Sequence, residues 1–264
     1  MASKKKYKVG IFCGHGKSLD GSWDPGTTYN KESEAALMLP ITKAAVKYLK
    51  ASGITVVTDA TSGNDINMVK QVEKANKEKV DIFVSIHCDW YIAPTGTMPL
   101  YLTTKGKAIA KAIDKRVKAD MKMTTRGLTK RKDLYELTAT NMPACIYETG
   151  SIKADLTKLK KSDAYGKAIA KGICDYLKVT FVDNSTPTTP AKPNNPPKTP
   201  FKIKAKGNLI VRKEPSLKSD KVSATCAKGG VYTIVEVNKD GTRGKLKSGA
   251  GWITITDKYV EVVK

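Results

Sequence analysis

Two apolar runs in this chain each lead to a histidine, and these are its only two histidines. Val80, Ile82, Phe83, Val84 and Ile86 run to His87; Val9, Ile11 and Phe12 run through Cys13 and Gly14 to His15. Short apolar runs of this kind, bounded by charge and glycine, predict strands buried on both faces, with the imidazoles just past their carboxyl ends. In open α/β sheets that edge is where ligands bind.

The segments between these strands read as the covering layers. Asn30 is placed to cap a helix that starts near Lys31, with Glu32 and Glu34 in its first turn, where the helix dipole favours carboxylates. Ala36, Leu39, Val46 and Leu49 carry its apolar period to about residue 51, Pro40 predicts a kink and Gly53 a stop. A short strand is expected over 54–58, a helix over 65–79, a strand over 98–102 and an amphipathic helix over 105–121. Residues 124–140 read as a basic loop. A third apolar stretch, 142–150, delivers Glu148, and a last helix is expected over 163–177. Strands alternating with helices predict an α/β unit, a mostly parallel twisted sheet covered by helices on both faces.

The organisation changes once. Residues 183–200 hold six of the twelve prolines among Ser, Thr, Asn and Lys, a composition that stays extended. Beyond it come short alternating runs at 208–212, 231–237 and 251–255, separated by turns rich in Gly and Lys, as expected for a small all-β barrel. The expected domains are therefore 1–180, a linker over 181–200, and 201–264.

Charge and cysteines narrow the classes. The net charge is +22, from 31 Lys and Arg against 18 Asp and Glu in residues 1–180 and 16 against 7 in the remainder. Both halves suit an anionic partner. Neither a base-reading basic helix nor an aromatic ribonucleoprotein pattern appears, so nucleic acid is not expected, and an anionic cell-wall polymer fits the charge equally well. The longest apolar run is far short of a membrane span, so membrane insertion is not expected. Met1 to Lys6 is basic but leads straight into the first strand without the apolar core of a signal peptide, so the chain is expected to be made in the cytoplasm. Five singly scattered cysteines, at 13, 88, 145, 174 and 226, read as reduced and packed.

The chemistry gathers at the strand ends. His15, His87 and Glu148 come from three of them, and Glu32 from the helix that follows the His15 loop. Two neutral imidazoles and a carboxylate leave zinc a fourth position for water, and a second carboxylate can then act as base. Each residue also has a plainer role, a histidine as a satisfied hydrogen-bonder and a first-turn glutamate as dipole compensation. Gly14-His-Gly-Lys-Ser18 resembles the end of a phosphate-binding loop, but that motif needs glycine where this chain has Ile11.

Cys13-Gly-His15-Gly16, Asp24-Pro25-Gly26, Glu32, Ser85-Ile-His87 and Pro143-Ala-Cys-Ile-Tyr-Glu148-Thr-Gly150 together resemble the zinc-dependent N-acetylmuramoyl-L-alanine amidases of the Amidase_3 type, over roughly residues 7–178. Leu209-Ile-Val-Arg212-Lys-Glu-Pro215 and Gly251-Trp252-Ile253 resemble bacterial SH3 domains that bind cell wall. The combination looks like a bacteriophage endolysin of Gram-positive hosts, made without a signal peptide and acting on the wall after release. A host autolysin and a non-catalytic wall-binding protein are the alternatives.

The resemblance implies one zinc ion held by His15, Glu32 and His87, with Glu34 in reserve for Glu32, and Glu148 as catalytic acid and base. It implies peptidoglycan as substrate. Phe12-Cys13 and Asp89 depart from the family pattern beside these ligands. Trp23, Trp90 and Tyr91 are candidates to stack on sugar or stem peptide, and Arg126 and Arg131 to pair with a stem carboxylate. In the barrel, Tyr232, Trp252 and Tyr259 could line a groove or fill the core, and Trp252 is expected in the core.

Overall fold

The computed structural model of the chain describes residues 6–61, 63, 65–183, 198–216, 219–256 and 259–263. It divides into two compact units, Met1–Asp183 and Asn184–Lys264. Most of the expected linker lies outside the described residues.

In the first unit the elements run β1 (Lys8–Cys13), β2 (Gly16–Lys17), β3 (Trp23–Asp24), β4 (Thr28–Tyr29), β5 (Glu32–Ser33), α1 (Glu34–Ala51), β6 (Thr55–Val57) and α2 (Met68–Lys77). They continue with β7 (Ile82–Asp89), β8 (Met98–Tyr101), α3 (Thr104–Met121), β9 (Thr129–Lys130), α4 (Tyr135–Thr138), β10 (Ala144–Ser151), α5 (Leu156–Leu159) and α6 (Ser162–Leu177). The main sheet has the order β6-β1-β7-β10-β8-β9. Its first four strands are parallel, and β8 pairs antiparallel with β10. The expected α/β layering is therefore present, with an antiparallel side to the sheet.

Side-chain alternation splits the core in two. Ile82, Val84, Ile86 and Cys88 of β7, with Cys145 and Tyr147 of β10, join the cluster packed under α1, α3 and α6. Phe83 of β7, with Ala144 and Ile146 of β10, joins a smaller cluster that includes Val72 of α2 and Leu137 of α4. The same period of two puts Ser85 and His87, and Glu148 on β10, on this second face. The β7–β10 register then sets Glu148 directly beside His87.

The larger face is held by close helix contact. Gly166 of α6 lies against α1, where a Cβ would collide with the Ile41 carbonyl oxygen and come within 2.6 Å of Ala44 Cβ and Ala45 N. Gly166→Val is expected to lower the unfolding free energy by about 1–3 kcal/mol through overpacking. Denaturant unfolding would check this; an unchanged midpoint would mean the helices separate freely there.

Helix α1 begins later than the sequence suggests. Ser33, not Asn30, is its N-cap, with Ser33 Oγ accepting from the Ala36 N–H at 3.3 Å. Asn30 instead takes a left-handed φ of 54° between the paired strands β4 and β5. That moves Glu32 out of the helix and into a hairpin. The helix runs unbroken through Pro40. Likewise 124–140 is not a plain loop, since it contains β9 and the four-residue helix α4. All five cysteines are buried and none forms a disulfide, and among the described residues no helix is long and apolar enough to cross a membrane.

The second unit is all-β. Its strands are β11 (Phe201–Ala205), β12 (Leu209–Arg212), β13 (Lys221–Cys226), β14 (Val231–Val237), β15 (Arg243–Leu246), β16 (Trp252–Thr254) and β17 (Val260–Val263). They form one antiparallel sheet in the order β13-β12-β16-β15-β14-β11-β17. Ile203, Val211, Ile234, Ile253 and Ile255 are central to its apolar cluster, with Tyr232 packed at the margin. Trp252 is buried, but its neighbour Ile253 is the one that joins this cluster, and Tyr259 is exposed.

Candidate active site

The site forms where β1, β7 and β10 end and α1 begins. Beyond β1, His15 takes a left-handed φ of 61°, and the glycines around it leave room for imidazoles. A Cβ on Gly14 would come within 2.5 Å of the His87 ring, and one on Gly26 within 2.7 Å of both the His15 ring and Glu34 Oε2. The end of β1 is fixed from beneath. Asp59 Oδ1 accepts from the Cys13 N–H at 3.2 Å, and Gln71 Nε2 donates to Asp59 Oδ2 at 2.6 Å and to the Cys13 carbonyl at 2.9 Å. Burial pushes the Asp59 carboxyl up to about 6, against the pull of these donors.

His15, Glu34 and His87 come together, each offering a ligand atom, all within 4.8 Å of one another. Glu34 is the first residue of α1 and is 3% exposed. Its Oε2 is 3.3 Å from His15 Nε2, and its Oε1 is 3.0 Å from His87 Nδ1 and accepts from the Cys88 N–H at 3.0 Å. Burial alone would raise the Glu34 carboxyl; the hydrogen bond and charge of His87, with His15 and the Cys88 N–H, hold it below the usual carboxylate value.

Glu32, the expected ligand, is not in this group. It pairs with Lys160 at 2.7 Å, because the hairpin that displaces the helix start turns it away. Glu34, two residues on, occupies the place assigned to it.

The nitrogens turned away from Glu34 also have partners. His15 Nδ1 is 2.8 Å from Asp24 Oδ2. His87 Nε2 is 3.0 Å from Ser85 Oγ and 3.6 Å from Glu136 Oε2. Burial lowers the His87 pKa, but Glu136 and Glu34 outweigh it and leave the ring well above its ordinary value. Two imidazole nitrogens and a carboxylate converging, with carboxylates on the opposite ring nitrogens, form a donor set that fits a divalent metal such as zinc.

Glu148 is partly buried beside His87, and its Oε2 is shielded from solvent with no hydrogen-bond partner. Burial pushes its carboxyl up to about 8; the His87 charge opposes this, and Glu34, Asp89 and Glu136 add to it. A carboxyl poised near neutrality with a free oxygen can exchange protons with a reacting group.

A cavity of about 250 Å³ opens next to the group, lined by His15, Lys17, Leu19, Met68, His87 and Glu136 among others. Trp23 pairs with Lys17 in the β2–β3 hairpin and is 60% exposed. Trp90 and Tyr91 follow β7 and are exposed, with ring centroids 6.2 Å apart. Both arginines have carboxylate partners. Arg126 Nη1 pairs with Asp89 at 2.8 Å and its Nε donates to the Gly96 carbonyl at 3.0 Å, while Arg131 pairs with the neighbouring Asp133.

Asp24 and Ser85 were visible as motif residues without a role. Glu136 carried no signal at all, since a glutamate in a basic stretch reads as a solvated charge.

Residues 9–178 match the N-acetylmuramoyl-L-alanine amidase family Amidase_3. The amidase AmiC2 of Nostoc punctiforme has a similar structure, at a TM-score of 0.60 and 26% identity over 67% of this chain and 99% of that one. The N-acetylmuramoyl-L-alanine amidase LytC of Bacillus subtilis is 28% identical over 169 residues, 60% of this chain and 34% of LytC. The endolysin of Bacillus phage SPP1 is 28% identical over 270 residues, 92% of this chain and 95% of that protein. This chain spans less than half the length of several curated relatives that it matches. A match across this much of the chain, on a sheet whose strand ends gather His15, Glu34, His87 and Glu148, makes the chain a member of the N-acetylmuramoyl-L-alanine amidase family Amidase_3.

Proposed function

We propose that this protein hydrolyses the amide between the lactyl group of N-acetylmuramic acid and L-alanine in peptidoglycan, using one zinc ion held by His15 Nε2, Glu34 and His87 Nδ1. The observation that carries this reading is the convergence of those three side chains beside a Glu148 oxygen that has no partner. Zinc, when bound, supplies a Lewis acid toward the amide carbonyl and the attacking water. Glu148 takes the proton of that water and returns it to the alanine nitrogen as the C–N bond breaks. Asp24 accepts from His15 Nδ1 and keeps that ring oriented. Trp23, Trp90 and Tyr91 present exposed ring faces to glycan or stem peptide. Arg131 is taken up by Asp133, whereas Arg126, paired with Asp89 through Nη1, keeps a buried Nη2 without a hydrogen-bond partner and remains the candidate for a stem carboxylate.

The all-β unit is assigned as an SH3-like wall-binding module, and its excess of lysine and arginine suits anionic wall polymers. The match to the SPP1 endolysin along nearly the whole of both chains supports a role in phage lysis. The match to LytC supports a bacterial autolysin as the second reading.

Digestion of purified Gram-positive peptidoglycan tests the chemistry. The expected result is release of new alanine amino termini without new reducing sugar ends, abolished by a strong chelator and restored by zinc. Reducing ends would indicate a glycosidase, and unaffected activity in chelator would remove the metal from the reaction.

A further inference from the structure

Glu136 is the carboxylate at this site that the proposed reaction leaves without a role. It is 6% exposed, its Oε1 accepts no hydrogen bond, and among the described residues no lysine or arginine pairs with it. A buried carboxylate in that condition is costly unless something compensates its charge. It faces His87, whose Nε2 is 3.6 Å from Glu136 Oε2.

The fold delivers it there for a reason visible in the packing. Leu137, the next residue, is buried in the cluster on the α2 side of the sheet, and this anchors α4 against β10. His87 and Ser85 project on that same face, so Glu136 and the Ser85 hydroxyl reach the same imidazole nitrogen.

The two rings use opposite atoms. His15 turns Nε2 to Glu34 and Nδ1 to Asp24, whereas His87 turns Nδ1 to Glu34 and Nε2 to Glu136 and Ser85. A neutral imidazole carries its proton on one nitrogen only, so each ring needs its own partner to keep the lone pair on the inward atom. We propose that Glu136 is a positioning residue that holds the His87 proton on Nε2, leaves the Nδ1 lone pair facing Glu34 and His15, and by its buried charge strengthens zinc binding. This rests on the metal-amidase reading above. Asp24 does the same for His15 from a more exposed place, with 35% of its side chain accessible. In the drier surroundings of Glu136 a charge acts more strongly, so its loss has the larger effect.

The test is zinc affinity of the full chain, measured by competition with a chelating indicator, for the unaltered protein, Glu136→Gln and Glu136→Val. Glutamine keeps the shape and an acceptor oxygen but loses the charge; valine loses both. Glu136→Gln is expected to bind zinc about 10- to 100-fold more weakly and Glu136→Val at least as weakly, with the metal-free Gln variant still folding cooperatively. In the zinc-loaded unaltered protein, nitrogen-proton correlation spectra should show the His87 proton on Nε2. Equal zinc affinity in Glu136→Gln, or a His87 proton on Nδ1, would overturn the role. Failure of the unaltered protein to bind zinc would instead overturn the metal reading beneath it. Should the valine variant not fold, the glutamine variant decides.

Discussion

Glu148→Ala is expected to lower the rate of peptidoglycan hydrolysis by about 10²- to 10⁴-fold while one equivalent of zinc stays bound. The two halves of that expectation come from different parts of the geometry. Glu148 sits on β10 in register with His87, yet it is not among the three side chains whose donor atoms converge. Removing it therefore leaves the ligand set intact. Its Oε2 has no hydrogen-bond partner, and burial pushes its carboxyl up to about 8, so the fold gains nothing from the ionised group. The alanine variant should accordingly unfold no earlier than the parent in metal-free form, because an uncompensated buried carboxyl has been taken away. The measurement pairs a hydrolysis rate with metal content by atomic absorption. A slow variant that has also lost its zinc would make Glu148 a ligand, and a zinc-loaded variant of full activity would remove it from proton transfer.

Most of the sheet was legible because buried strands announce themselves. Residues 80–89 read as a strand ending on His87, and β7 covers Ile82–Asp89; the stretch ending on Glu148 became β10. The period of two puts Ser85 and His87 on one face of β7, but only the β7–β10 register of the structure adds Glu148 to it. What could not be read was which of two good capping residues starts α1. Asn30 and Ser33 both suit an N-cap, and the choice turns on Asn30 tolerating the left-handed conformation of a tight turn, which only the tertiary path of the chain decides. A three-residue difference at that boundary exchanged Glu32 for Glu34. Glu136 was hidden for a different reason. A helix of four residues has too little periodicity to stand out, and the burial of Leu137 that brings Glu136 to His87 is a long-range contact.

That exchange leads to the sharpest contrast available in this protein. Glu34→Ala is expected to abolish stoichiometric zinc binding and with it hydrolysis, whereas Glu32→Ala should leave both near the parent level. Glu34 is 3% exposed and bridges His15 and His87, with the Cys88 N–H as a further donor. Its removal takes one of the three proposed ligands and also strands two imidazoles and a buried N–H, a loss of about 3–5 kcal/mol by comparison with other broken buried pairs. Glu32 meets Lys160, whose side chain is 53% exposed, and surface pairs of this kind contribute about 0–1 kcal/mol. Two glutamates on either side of Ser33 are thus expected to differ in stability, metal and rate together. Unfolding midpoints with and without zinc, alongside metal content, separate the two effects: loss of zinc in a Glu34→Gln variant that still folds would tie the metal to Glu34 itself. Zinc lost from Glu32→Ala but kept in Glu34→Gln would return the ligand to the hairpin and require α1 to begin a turn earlier, at Lys31.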